Sequence, residues 1–189
     1  MGILSLPGRK SRQSDIINST LLADVFAKFQ SQSCISVLDV GVGSKDTLEF
    51  LKQYPQCKVY FLDLAEHLAD VNFATFKESF QKYGGALFDI CLFWDLLYCL
   101  STAQLEDLSN TLEGYIYSQT RAHSIANLNK PGERFCIRAQ DQIRVVTGKP
   151  REYPLGSITS IAQHFHCLKV EADKYRGDGR LEVVLHAPV

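Results

Sequence analysis

Three short apolar runs, each followed by a segment with helical character, constrain this chain more than any other feature. They are Ile35–Val40, Lys58–Asp63 and Ala86–Phe93. The first and third lack strict alternation, as expected of strands covered on both faces. Residues 45–54, KDTLEFLKQY, read as a helix that Pro55 ends. Residues 64–83 are ambiguous, with Phe73, Phe76 and Phe80 suggesting a helix closed by Gly84-Gly85. A further helix is expected over Ala103–Leu112, and YIYSQT after Gly114 reads as the next strand. Such alternation predicts an α/β fold: a doubly wound, mostly parallel sheet with helices on both faces.

The ends of the chain read differently. Residues 1–14 are polar and basic and are expected to be a flexible arm. Over 15–31, Ile17, Leu21, Leu22, Val25 and Phe29 share one helical face, which predicts an amphipathic helix. Residues 134–147 predict a hairpin turning near Asp141, inserted in the single domain that spans 15–189. Ser157 caps a short helix over 157–166. Leu168–Ala172 and Leu181–His186 predict an antiparallel C-terminal strand pair.

The balance of charge excludes some partners. With a formal net charge of −1, the chain carries no global field for nucleic acid or an anionic membrane. The six cysteines form no CxxC pair, so no zinc site is expected, and they read as reduced, small apolar side chains. The N-terminus has the wrong order of charge and apolar residues for a signal peptide, and Leu6 breaks a myristoylation motif. Ala86–Leu100 is interrupted by Asp89 and Asp95 and is too short to span a bilayer. The expectation is a cytoplasmic protein.

The sharpest local signal is Asp39-Val-Gly41-Val-Gly43-Ser44, after a strand and before a helix. Glycines there permit a tight turn and close approach of a ligand to the main chain. The following helix start offers unpaired N–H groups. Asp63 stands at the end of the next strand, where an acid can accept hydrogen bonds from a ribose. A dinucleotide fingerprint needs a third glycine at position 46, and Asp46 is there instead. An acid at that point would repel a pyrophosphate, which argues against a nicotinamide cofactor.

On these residues the sequence resembles the class I S-adenosylmethionine-dependent methyltransferases. Asp39, Gly41 and Gly43 match the family's (D/E)xGxGxG motif, while Lys45 replaces its third glycine. Asp63-Leu64 matches the ribose acid and its apolar neighbour, and Phe88–Leu100 resembles the fourth strand and the helix after it. The resemblance implies S-adenosylmethionine as cofactor. Asp39 would lie near the methionine amino group, Gly41 and Gly43 beside the cofactor, and Asp63 with Leu64 at the ribose. Trp94 and Asp95 would line the cleft where donor and acceptor meet, with Asp95 an orienting group, a base or only a helix cap.

The acceptor is not written in the sequence. After the fourth strand stands Phe93-Trp94-Asp95-Leu96, without the proline pair of the amine-methylating members. A small-molecule acceptor or a protein partner remains. Residues 121–151 hold seven cations against two acids, and Arg134, Arg138 and Arg144 would share a hairpin face able to meet an anionic acceptor or partner. Two functions follow: an active methyltransferase, or a degenerate methyltransferase-like binding or assembly module that uses the 121–151 surface.

Overall fold

The computed structural model describes residues 16–41, 43–62, 77–78, 80–129, 133–146 and 156–188. The expectations for the 1–14 arm and for residues 64–76 lie outside them.

The chain opens with strand β1 (Ile16–Asn18) and helix α1 (Thr20–Ala27). The single amphipathic helix expected over 15–31 is thus corrected. Ser19 divides it: its side chain caps α1 by accepting from Leu22 N at 3.0 Å, and its own N–H donates to Asp141 O. The residues before it pair as a strand with the later hairpin.

Next come β2 (Ser36–Asp39), α2 (Lys45–Leu51), β3 (Lys58–Phe61) and β4 (Ile90–Trp94). After β4 follow the short helix α3 (Leu96–Cys99) and α4 (Thr102–Leu112), whose start is a full Ser101/Gln104 capping box. The expected strand YIYSQT is instead a 3₁₀ turn at Glu113–Tyr115 and a loop, and β5 (Arg121–Asn127) begins just beyond. Its tyrosines are engaged elsewhere. Tyr115 stacks on Phe88, and Tyr117 donates its hydroxyl to Asp89. The chain ends with β6 (Arg134–Ala139), β7 (Gln142–Val146), α5 (Ile158–His164), β8 (Lys169–Tyr175) and β9 (Arg180–His186). Ser157 caps α5 as expected.

Six strands form the main sheet in the order β3-β2-β4-β5-β9-β8. The first four are parallel, and β9 runs antiparallel between β5 and β8. This is the expected doubly wound sheet with an antiparallel C-terminal pair. Neighbouring residues of one strand serve opposite faces. Leu38, Cys91 and Phe93 pack with Leu105 and Leu108 of α4 and Ile161 of α5. Val37, Ile90 and Leu92 pack with Phe26 of α1 and Phe50 and Leu51 of α2. Burial on both faces is why these strands read as continuous apolar runs.

The hairpin β6–β7 does not enter the main sheet. With β1 it makes a separate antiparallel sheet, ordered β1-β7-β6. Its buried Phe135, Ile137 and Ile143 join the α1–α2 face of the core and reach Trp94 at the end of β4. Four cysteines are buried, Cys57 is half-buried and Cys34 exposed, and all six are free. Among the described residues, no helix is long and apolar enough to cross a membrane.

His123, in β5, is fully buried and neither ring nitrogen has a hydrogen-bond partner among the described residues. Burial lowers its pKa from 6.5 to about 3. The unfolded chain therefore takes up a proton that the folded chain refuses. The resulting stability is fully present above pH 6.5 and is lost as the pH falls toward 3. In urea unfolding, the wild type is expected to lose about 2 kcal/mol more than His123→Leu between about pH 7.5 and 5. Equal losses would contradict the burial of a neutral imidazole.

Candidate functional site

The carboxyl end of β2 lies where neighbouring parallel strands diverge in their connections, to β3 on one side and β4 on the other. In open α/β sheets such a point is the usual ligand crevice. The chain leaves β2 through Asp39, Val40 and Gly41, turns at Gly43, and enters α2 under the Ser44 cap. Ser44 Oγ accepts from Thr47 N at 3.0 Å. Gly43 has φ +59°, a conformation that side chains resist. A methyl group on it would also lie 3.0 Å from the Phe61 ring.

Asp39 is only 2% exposed. The Trp94 indole N–H donates to its Oδ1 at 2.6 Å. The same indole lies on Gly41, so a Cβ there would meet Trp94 Cδ1 at 2.9 Å. Gly41 is therefore needed for close approach, and the group that approaches is the protein's own tryptophan.

Trp94 is held in place from several directions. It follows a β-bulge: Leu92 pairs with His123, yet Trp94 pairs with Ser124. Bulges re-aim side chains and are common beside functional sites. Its φ of +49° is rare for a bulky residue and costs on the order of 1 kcal/mol or more. Ser124 Oγ donates to its carbonyl, and the Phe135 ring of β6 stacks on the indole at 6.3 Å and 17°.

The hairpin is tied back to the glycine loop's helix. Arg144 of β7 pairs with Asp46 in the first turn of α2, and Ile137 N donates to Thr47 Oγ1 at 3.1 Å. This revises two expectations. Asp46 faces the hairpin and its charge is matched by Arg144, so it cannot serve as the repulsive acid that argued against a pyrophosphate. Arg144, placed by sequence on a cationic face with Arg134 and Arg138, is engaged within the fold. Arg138 is exposed and Arg134 half-buried.

A cavity of about 830 Å³ opens beside the loop, lined in part by Gly41, Gly43, Ser44, Lys45, Tyr54 and Phe61. Lys45, which stands where the motif expects a third glycine, lies at this wall. Asp95 is half-buried and stands at the N-cap position of α3, without a side-chain cap hydrogen bond. Asp63 and Leu64 lie outside the described residues. Sequence reasoning missed Phe61 and Phe135. Parallel pairing places Phe61 opposite Asp39, which a register argument finds. Phe135 carries no local signal.

The fold resembles that of solved structures. The CcbJ methyltransferase from Streptomyces caelestis matches with a TM-score of 0.51 at 10% identity, over 89% of each chain. The chain has the Rossmann-like methyltransferase fold. N-methyltransferase NodS from Bradyrhizobium japonicum WM9 matches at a TM-score of 0.48 and 12% identity, over 89% of this chain and 94% of NodS. TnmH matches at 0.46 and 20% identity, and this chain spans about half its length, 54%. No family model matches the chain, and no curated protein matches it.

Burial raises the Asp39 pKa from 3.8 to about 6, against the opposing effect of the Trp94 hydrogen bond. The folded state therefore holds its proton more tightly than the unfolded chain. The relative gain in stability is present below pH 3.8 and is lost as the pH rises through about 6. Asp39→Asn keeps an oxygen acceptor for the indole without the buried charge. Chemical unfolding is expected to find it more stable than wild type by about 2 to 3 kcal/mol at pH 8, and by roughly half that at pH 5. A less stable variant at pH 8 would show that the carboxylate is held by more than the indole.

Proposed function

We propose that this chain is an S-adenosylmethionine-dependent methyltransferase, with its cofactor site at Asp39, Gly41 and Gly43 and a small molecule as acceptor. One observation carries the reading: a buried acid and a glycine turn share the carboxyl end of β2, at the divergence of a methyltransferase-type sheet. That CcbJ is a methyltransferase supports it.

When bound, the cofactor supplies an electrophilic methyl group on a positively charged sulfonium. The residues fit such a group by charge. Asp39 is an anion able to take an amino group, and no phosphate has to be accommodated. The glycines admit close approach of the main chain, and α2 begins beside them under the Ser44 cap. Asp63 and Leu64 are proposed for the ribose. The fit has one condition: Trp94 must release Asp39 and clear Gly41. Asp95, next to Trp94, is proposed to orient the acceptor or take its proton. In-line transfer leaves most of the catalysis to such positioning.

A second reading is favoured by the same indole. A chain whose Asp39 and Gly41 are permanently covered would be a degenerate binding or assembly module, with Arg134 and Arg138 on its working surface. Calorimetry separates the two. S-adenosylhomocysteine is expected to bind with Kd on the order of 10 μM, and a nicotinamide dinucleotide to give no heat. Absence of heat with S-adenosylhomocysteine would remove the cofactor and the proposed reaction with it.

A further inference from the structure

The cofactor corner is filled by a residue of the chain. The Trp94 indole satisfies Asp39 Oδ1 at 2.6 Å, lies against Gly41 and is 4% exposed. A methionine amino group brought to Asp39 would find Oδ1 already taken by that N–H and the approach over Gly41 filled by the ring. The indole's position is not a relaxed one, because its backbone sits at φ +49°. A strained residue persists where its surroundings over-determine it. Here they are the Asp39 acceptor, the Ser124 hydroxyl on the Trp94 carbonyl, and the stacked Phe135. Only the first two belong to the sheet that carries the site. Phe135 comes from the separate hairpin, which is anchored to α2 by the Arg144–Asp46 pair.

We propose that Trp94 is a built-in plug of the cofactor site, latched by Phe135, that must leave Asp39 and Gly41 before a cofactor's amino-acid end can enter. This rests on the cofactor reading above. Displacement breaks one buried hydrogen bond to the carboxylate, which the incoming ammonium replaces with an ion pair. The plug lowers apparent affinity by the fraction of molecules in which it is open. Loosening the latch therefore tightens binding without touching any group that holds the ligand.

The chain's single tryptophan makes the plug directly observable. S-adenosylhomocysteine is titrated into wild type, Phe135→Ala and Trp94→Phe by calorimetry. Trp94 emission and acrylamide quenching are followed in the first two. In the wild type, binding is expected to shift emission to the red and to increase quenching. Phe135→Ala, which removes the stack, and Trp94→Phe, which frees Asp39, are each expected to bind about tenfold more tightly. The second variant keeps the test alive should the first fail to fold.

Binding to the wild type with unchanged emission and quenching would overturn the plug while leaving the cofactor reading intact. So would equal affinity in the wild type and both variants. No heat in any of the three proteins would overturn the cofactor reading, and the plug with it.

Discussion

A carboxylate buried at the end of a central parallel strand needs a donor, and in this fold the donor is an indole from the neighbouring strand. The Trp94–Asp39 hydrogen bond sets the conditions for much else. It demands the bulge between Leu92 and Trp94 and the left-handed backbone at Trp94. It demands a glycine at position 41, because the indole passes where a side chain would stand. It presents an aromatic face that the hairpin covers with Phe135. From the hairpin the contacts run through Arg144 to Asp46 and so to the helix that starts at the glycine loop. The result is a closed ring around the candidate site.

That ring gives the glycine loop two meanings. In a fold of this type, glycines after the first core strand are read as room for a ligand. Here the room over Gly41 is taken by Trp94, and that beside Gly43 by Phe61. Both are aromatic side chains that change place more readily than backbone. The open cavity lies farther along, toward Lys45 and Tyr54. The buried acid is held at a cost to stability, since the hydrogen bond from the indole offsets only part of the burial of its charge.

Much of the architecture was legible because burial writes itself into composition. β2 and β4 appear as apolar runs because both their faces are covered. Breakers and caps place α2 and α5, although α2 ends at Leu51, ahead of Pro55. β5 was missed for the opposite reason. Its buried His123, Ser124 and Asn127 break any apolar pattern, and only pairing with β4 and β9 makes Arg121–Asn127 a strand. β1 was absorbed into a helix because Ile17 happens to continue the spacing of α1. The loop Asp39–Ser44 was found by local spacing, but its state was not. Asp39 and Trp94 are 55 residues apart, and Asp46 and Arg144 are 98 apart. Such pairings are set by the fold as a whole, and the charge of Asp46 has its partner 98 residues away.

The central claim is that a cofactor reaches Asp39 by taking the indole's place. With one tryptophan in the chain, the protein gives one indole N–H resonance, and that proton lies in the bond at issue. Following it in a ¹⁵N-labelled sample during titration with S-adenosylhomocysteine is the most direct measurement. The resonance is expected to begin at low field, as a short bond to a carboxylate requires, and to move upfield in proportion to binding. A resonance that stays in place at saturation would contradict the account.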